Sequence, residues 1–237
     1  KGIGKSVARG LAENGAKVVV SSRKQSAVDQ VAGEFEAAGL EAVGIQCHIG
    51  DSDQRESLIA KTIEHFGRID ILVNNAAINP YYGPLEGSDE AVFDKIMNIN
   101  VKAPWILSNL VLPHMKEKGG GSIINISSVE GITPGFGLGL YSATKSALIM
   151  LTKNQAKEWG RHGIRSNVLC PGLIKTKFSE GLWTNDKLVE GFKKALPLGR
   201  IAAPEEMAGM VMLLASDAGS YMTGGVYVAD GGYLISG

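Results

Sequence analysis

Apolar residues in this chain come in short unbroken runs, separated by longer stretches in which they recur every three to four positions. Val18-Val19-Val20, Ile71-Leu72-Val73 and Ile123-Ile124-Asn125-Ile126 are of the first kind. They are continuous rather than alternating, the pattern of strands buried on both faces of a parallel sheet. Such runs predict strands at 17–21, 41–47, 69–74, 121–127, 164–170 and 226–228. The stretches between them predict helices at 5–14, 26–38, 53–66, 89–118, 141–161 and 204–214. Gly15, Gly39, Gly67, Gly119 and Gly163 follow five of these, where a left-handed stop favours a residue without a Cβ.

Strands alternating with helices in this way give an α/β fold: a doubly wound, Rossmann-type parallel sheet with helices on both faces. The 237 residues contain no linker-like stretch, so one domain over 1–237 is expected. One feature of the pattern is unusual. Lys1-Gly2-Ile3-Gly4 runs straight into the first helix, whereas a doubly wound sheet opens on a strand. A first strand, about ten to fifteen residues upstream, is therefore expected to be missing, because a sheet without it leaves two unpaired edges.

Composition narrows the function. Lys and Arg (24) balance Asp and Glu (24), so the broad basic field that nucleic acid or an anionic membrane requires is absent and small molecules are the expected partners. Cys47 and Cys170 lack CxxC or zinc-type spacing, which suits buried structural thiols in a reducing compartment. His48, His65, His114 and His162 lack ligand spacing, so no metal site is expected. No apolar run reaches membrane-spanning length and the start lacks a signal-peptide pattern, making the cytoplasm the default location.

Three segments carry chemistry. Gly2-Ile3-Gly4 before a helix lets a pyrophosphate approach free N–H groups at the helix start. After the next strand, Ser21-Ser22-Arg23-Lys24 has no carboxylate for a free ribose 2′-hydroxyl but offers a hydroxyl and cations for a 2′-phosphate. NADP(H) rather than NAD(H) is the expected cofactor, with Lys1 adding a second charge beside Arg23 and Lys24. Third, Tyr141 and Lys145 are spaced i and i+4 and share a helix face. A cation beside a phenol favours phenolate and equips it as an acid/base, although this spacing also occurs by chance.

Together these segments resemble the short-chain dehydrogenase/reductase family, and the likeness covers essentially the whole chain. Gly2-Ile3-Gly4 resembles the end of the family's Thr-Gly-x-x-x-Gly-x-Gly turn, and Asn74-Asn75-Ala76-Ala77 its Asn-Asn-Ala-Gly segment. Asn100, Ser128, Tyr141 and Lys145 match its catalytic tetrad, and Pro171-Gly172 its Pro-Gly turn. The resemblance implies hydride transfer between the nicotinamide and a substrate carbon, with Tyr141 protonating the carbonyl oxygen. Ser128 would hydrogen-bond that oxygen. Lys145 would hold the nicotinamide ribose and lower the Tyr141 pKa, and Asn100 would support a water relay to Lys145. It further implies that Asn75 and Ala76 line the cofactor, as do Pro171 and Gly172, and that Ile174 and Thr176 bind the nicotinamide amide. Two positions depart from the pattern. Ala77 replaces a glycine, and His48 stands where an Asp often meets the adenine, leaving adenine contact or simple packing open for it.

Selectivity is expected from a lid at about 173–200, with Phe178 and Trp183 near its start and Tyr81, Tyr82 and Phe136 completing an apolar wall or packing elsewhere. The Ser22-Arg23 and Pro171–Thr176 segments are similar to the carbonyl and retinal reductase branch. A 3-oxoacyl-thioester reductase shares the same tetrad, and a noncatalytic NADP(H)-binding regulator shares the fold. The long helices at 89–118 and 141–161 are the pieces that pair subunits in this family, so a homo-oligomer, commonly a tetramer, is implied.

Overall fold

The computed structural model describes residues 1–236. Six strands form, all in parallel pairs: β1 (Val18–Ser22), β2 (Ala42–Gln46), β3 (Ile71–Asn74), β4 (Gly121–Ile126), β5 (Ile164–Pro171) and β6 (Val226–Ala229). Helices α1 (Gly2–Glu13), α2 (Gln25–Glu36), α3 (Ser52–Phe66), α4 (Glu90–Met97), α5 (Ala103–Glu117) and α6 (Gly139–Trp159) alternate with them. Two short helices, α7 (Glu180–Trp183) and α8 (Asp186–Ala195), precede α9 (Ala208–Ala215). All five glycine stops have positive φ, from 71° to 89°, and those at Gly67 and Gly163 are direct left-handed caps.

The strands form two groups, β1–β2 and β3–β4–β5–β6. Helix α1 packs against both: Ala8 and Ala12 meet the core of the pair, while Val7 joins that of the quartet. This division corrects the expectation of strands buried on both faces. Ile123, Ile124, Val168 and Leu169 are fully buried, because β4 and β5 are paired on both edges. Val19, Val20 and Ile71–Val73 are only half-buried, because β1 and β3 are each paired on one edge.

The expected helix over 89–118 is interrupted. A single π turn, Asn98–Lys102, separates α4 from α5. Pro104 has no N–H to give the carbonyl of Asn100 four residues earlier, so one rung of the regular α-helical ladder is missing there.

Buried amides and hydroxyls cross the middle of the quartet. Asn74 Nδ2 donates to Asn125 Oδ1 (2.8 Å). Asn125 Nδ2 donates to Thr152 Oγ1 (2.9 Å) and Gln155 Oε1 (3.3 Å). Ser166 Oγ donates to the same Gln155 oxygen (2.8 Å). Each polar group is satisfied by another on a different element, which holds β3, β4, β5 and α6 in one relation. Among the described residues, no helix is long and apolar enough to cross a membrane.

Candidate active site

The carboxyl ends of the strands gather the motif residues along one edge, as in doubly wound sheets generally. Ser128 leaves β4 with an extended backbone and caps the 3-10 turn Val129–Gly131, its Oγ accepting from Glu130 N–H (3.1 Å). That turn is fixed to α6. Ser146 Oγ donates to the Gly131 carbonyl (2.7 Å) and Ser127 Oγ to the Lys145 carbonyl (2.8 Å). A Cβ on Gly131 would lie 2.8 Å from the carbonyl carbon of Lys145, so the close approach requires glycine there. Ser128 therefore meets the first turn of α6, where it hydrogen-bonds the Tyr141 phenol.

Lys145 lies one turn further on. Its Nζ is buried, donates to the Ile126 carbonyl (2.9 Å) and stands 5.5 Å from the centre of the Tyr141 ring. Burial lowers its pKa to about 8, with Cys170 opposing that shift. Burial also raises the Tyr141 phenol well above the usual tyrosine value. The Ser128 hydrogen bond opposes the rise, and Glu130 and Cys170 reinforce it. In the protein alone the phenol therefore stands above its ordinary value, with desolvation the largest cause. Tyr141 is thus protonated at neutral pH.

Asn100 lies in the π turn and is fully buried. Its side chain grips one residue by both backbone groups: Ile78 N–H donates to Oδ1 (2.9 Å), and Nδ2 donates to the Ile78 carbonyl (2.9 Å). Nδ2 also donates to Thr144 Oγ1 (3.1 Å), whose hydroxyl donates to the Tyr141 carbonyl (2.7 Å). The amide thereby ties the segment after β3 to the first turn of α6. With both amide hydrogens committed, a water relay from this residue would use the backbone carbonyl that Pro104 leaves without its α-helical partner.

The cofactor candidates converge on the same edge. Gly2, at φ 63°, faces Thr176, and a Cβ on Gly4 would come 2.7 Å from Asn75 Nδ2. No side chain caps the start of α1, so its first amides are open to a phosphate. Arg23 and Lys24 are exposed and form no ion pair among the described residues. The β2 end lies against them: Cys47 N–H donates to the Ser22 carbonyl (2.9 Å) and Gln46 Nε2 to the Arg23 carbonyl (3.1 Å). His48 follows, its Nδ1 accepting from Gly50 N–H (3.2 Å). Gly172 N–H donates to the Ala229 carbonyl (3.0 Å), and a Cβ there would lie 2.8 Å from Asp230 Cα. A glycine cradle with unpaired cations at its adenosine end fits a phosphorylated dinucleotide. Lys1 is exposed beside the glycines, and Ala76 follows Asn75 out of β3. Ile174 turns its side chain into the core, leaving only its backbone for a ligand.

Two residues at this site were not singled out by motif. Ser179 Oγ bonds the Ile174 carbonyl and the Thr176 hydroxyl (3.1 Å to the latter), securing the start of the 173–200 segment. Cys170, expected to be only a structural thiol, sits beside Lys145, Ser127 and Ser128, and burial raises it to about 11, so it stays neutral. Neither carries a local pattern that reveals its neighbours. The apolar wall is present in part. The Phe178 ring lies 6.0 Å from that of Tyr141, and Tyr82 and Phe136 are 66% and 88% exposed on facing loops joined by Gly83 N–H to the Gly137 carbonyl (3.0 Å). Tyr81 instead donates to the Pro84 carbonyl (3.0 Å) and packs within its own loop.

Comparison with known proteins agrees with this geometry. The family described as enoyl-(acyl carrier protein) reductase matches residues 1–234. Dehydrogenase/reductase SDR family member 4 of Oryctolagus cuniculus is 46% identical over 231 residues, covering 98% of this chain and 89% of that protein. Its Homo sapiens counterpart is 45% identical, with 98% and 83% covered. The crystal structure of a gluconate 5-dehydrogenase from Burkholderia cenocepacia, in complex with NADP and tartrate, superposes with a TM-score of 0.95 at 33% identity, covering 99% of this chain and 92% of that one. With the match running from the glycine turn through Tyr141 to the last strand, the chain belongs to the short-chain dehydrogenase/reductase family, oxidoreductases that act on CH–OH groups.

Proposed function

We propose that this chain is an NADP(H)-dependent carbonyl reductase that converts a ketone or aldehyde to an alcohol, and the reverse. The observation that carries the reading is the assembly of Ser128, Tyr141 and Lys145 on one wall, with the phenol protonated and the ammonium one turn behind it. The cofactor, when bound, supplies the hydride. Ser128 hydrogen-bonds the substrate oxygen, and Tyr141 delivers its proton to that oxygen as negative charge develops there. Lys145 keeps one N–H on Ile126 and has two left for the ribose hydroxyls. Arg23, with Ser22 and Lys24, meets the 2′-phosphate.

Phe178, Tyr82 and Phe136 form the exposed apolar rim, which supports an apolar small-molecule substrate. Phe93 on α4, Trp105 on α5 and Met150 on α6 are exposed as well; they support a homo-oligomer, commonly a tetramer in this family. A second reading, reduction of a 3-oxoacyl thioester on an acyl carrier, uses the same tetrad, and the matched family's description, an enoyl-(acyl carrier protein) reductase, supports the acyl-carrier part of it alone. A panel of ketones, aldehydes and acyl-carrier thioesters, run with NADPH and NADH in parallel, tests both. NADPH-dependent turnover of free carbonyl compounds is expected. Turnover of thioesters alone would favour the second reading, and a preference for NADH would overturn the assignment of Arg23.

A further inference from the structure

Glu130 is a half-buried carboxylate that the mechanism above does not use. It occupies the middle of the 3-10 turn that Ser128 begins. Ser142 Oγ approaches it at 3.5 Å from α6, one residue after Tyr141. From the other side the 133–137 loop folds over it, with the Gly135 N–H hydrogen-bonded to the carboxylate. A Cβ at Gly135 would lie 2.8 Å from the carboxyl carbon, so loop and carboxylate are in close contact. The turn cannot shift, because Gly131 lies against the Lys145 backbone and Ser146 holds its carbonyl.

The charges around Glu130 are few. The 133–137 loop contains no titratable residue. Near the turn, α6 contributes Tyr141 and Lys145, whose ammonium is directed at the Ile126 carbonyl. Behind it β5 contributes Cys170, and beyond the loop the 81–87 segment adds Tyr81, Tyr82 and Glu86. Among the described residues no Lys, Arg or His pairs with Glu130. Its negative charge is therefore not cancelled locally, and the phenol is among the groups that feel it.

We propose that Glu130 is a positioning residue that holds a fixed negative charge behind Tyr141, keeping the phenol protonated to higher pH and biasing the site toward carbonyl reduction. A like charge at short range opposes ionisation of its neighbour, and Glu130 is one of the groups that raise Tyr141. Burial in turn raises Glu130 above the usual carboxylate range, against the hydrogen bonds from Gly135 and Ser142. As pH falls through that raised value Glu130 becomes neutral and its hold on the phenol ends, in a range where Tyr141 is protonated in any case.

The proposal rests on the acid/base reading of Tyr141 and is tested apart from it. Glu130→Gln keeps the size and the acceptor oxygen and removes the charge; Glu130→Asp keeps the charge. For each, the pH dependence of alcohol oxidation is measured with saturating NADP+. Phenolate formation in the NADP+ complex is followed by ultraviolet difference absorbance, with Tyr141→Phe identifying the signal. In Glu130→Gln both midpoints should move to lower pH by roughly one unit, while Glu130→Asp stays nearer the parent protein. Midpoints that coincide in the parent protein and Glu130→Gln overturn the proposal, even if Glu130→Gln is slower. If no alcohol is turned over by any variant, the acid/base reading fails, and the ultraviolet titration still decides whether Glu130 acts on Tyr141.

Discussion

The floor of the site and the 173–200 segment, proposed as its lid, are built by opposite means. Under Tyr141, β4, β5 and α6 place Ile124, Leu169, Asn125 and Thr152 at zero exposure and connect their polar atoms through a closed set of hydrogen bonds. Over it, the 173–200 segment contains only the four-residue α7 and the ten-residue α8 as helices among its described residues, with Phe178 and Leu198 57% and 65% exposed. Its start is held by Ser179 and by Trp183 Nε1 donating to the Thr176 carbonyl (2.6 Å). Proton transfer needs atoms fixed within a fraction of an ångström, which dense packing provides. Admission and release of substrate need a segment whose opening costs little.

The largest expected effect is at the chemistry of the floor. Tyr141→Phe removes the transferable proton and changes little else, so carbonyl reduction should fall about a thousandfold while NADPH binding, measured by fluorescence titration, is retained. Unchanged turnover would sink the acid/base role. Asn125→Ala tests the floor as a scaffold. It leaves Asn74, Thr152 and Gln155 without their shared partner, and denaturant unfolding should show a loss of roughly 3 kcal/mol.

Lys145→Met separates function from stability. The fall of the Lys145 pKa from 10.5 to about 8 means that keeping this ammonium buried at neutral pH costs roughly 3 kcal/mol. Losing the bond to Ile126 offsets about 1 kcal/mol of any gain. The variant should be inactive yet more stable at pH 7 by up to about 2 kcal/mol. The sign follows from proton linkage. Below about pH 8 both folded and unfolded lysine are charged and the penalty is full. Between about 8 and 10.5 the unfolded state binds more protons, so the parent protein gains relative stability as pH rises and the difference should close. Unfolding midpoints at pH 7 and pH 10 give the comparison.

The smallest effect is expected in the lid. Ser179→Ala frees the Ile174 carbonyl and the Thr176 hydroxyl near the surface, so folding stability should change by less than about 0.5 kcal/mol. The KM for substrate should rise about threefold with kcat nearly constant, as expected when the loss is mainly in ground-state positioning. A stability loss as large as that of Asn125→Ala would erase the distinction between floor and lid.

The sequence was most informative where a local rule has one physical cause. A glycine after a helix marks a left-handed stop, and all five expected stops have positive φ. Continuous apolar runs found the strands to within about two residues. The candidate catalytic positions were legible because motifs in the right order identify a family, although the Tyr141–Lys145 spacing alone does not. The break at Asn100 was not read: Pro104 withholds an N–H, but Pro113 does the same inside the continuous α5, and the hydrophobic period passes through the break undisturbed.

What remained hidden depends on distance across the chain. Nothing next to Cys170 shows that its thiol would lie beside Lys145, nor does the sequence around Ser179 show its bonds to Ile174 and Thr176. The half-burial of Val19, Val20 and Ile71–Val73 depends on which strand edges are paired, not on the runs themselves. By itself the sequence determined the succession of strands and helices, the points where they stop, and the residue types able to move a proton or meet a phosphate, because these follow from backbone conformation and side-chain chemistry. Only the tertiary structure decided that Tyr141 is raised, that Lys145 is brought down to about 8, and that Glu130 has no ion-pair partner among the described residues. Those properties come from solvent exclusion and from charges brought together by folding, and neither is a property of any short stretch of chain.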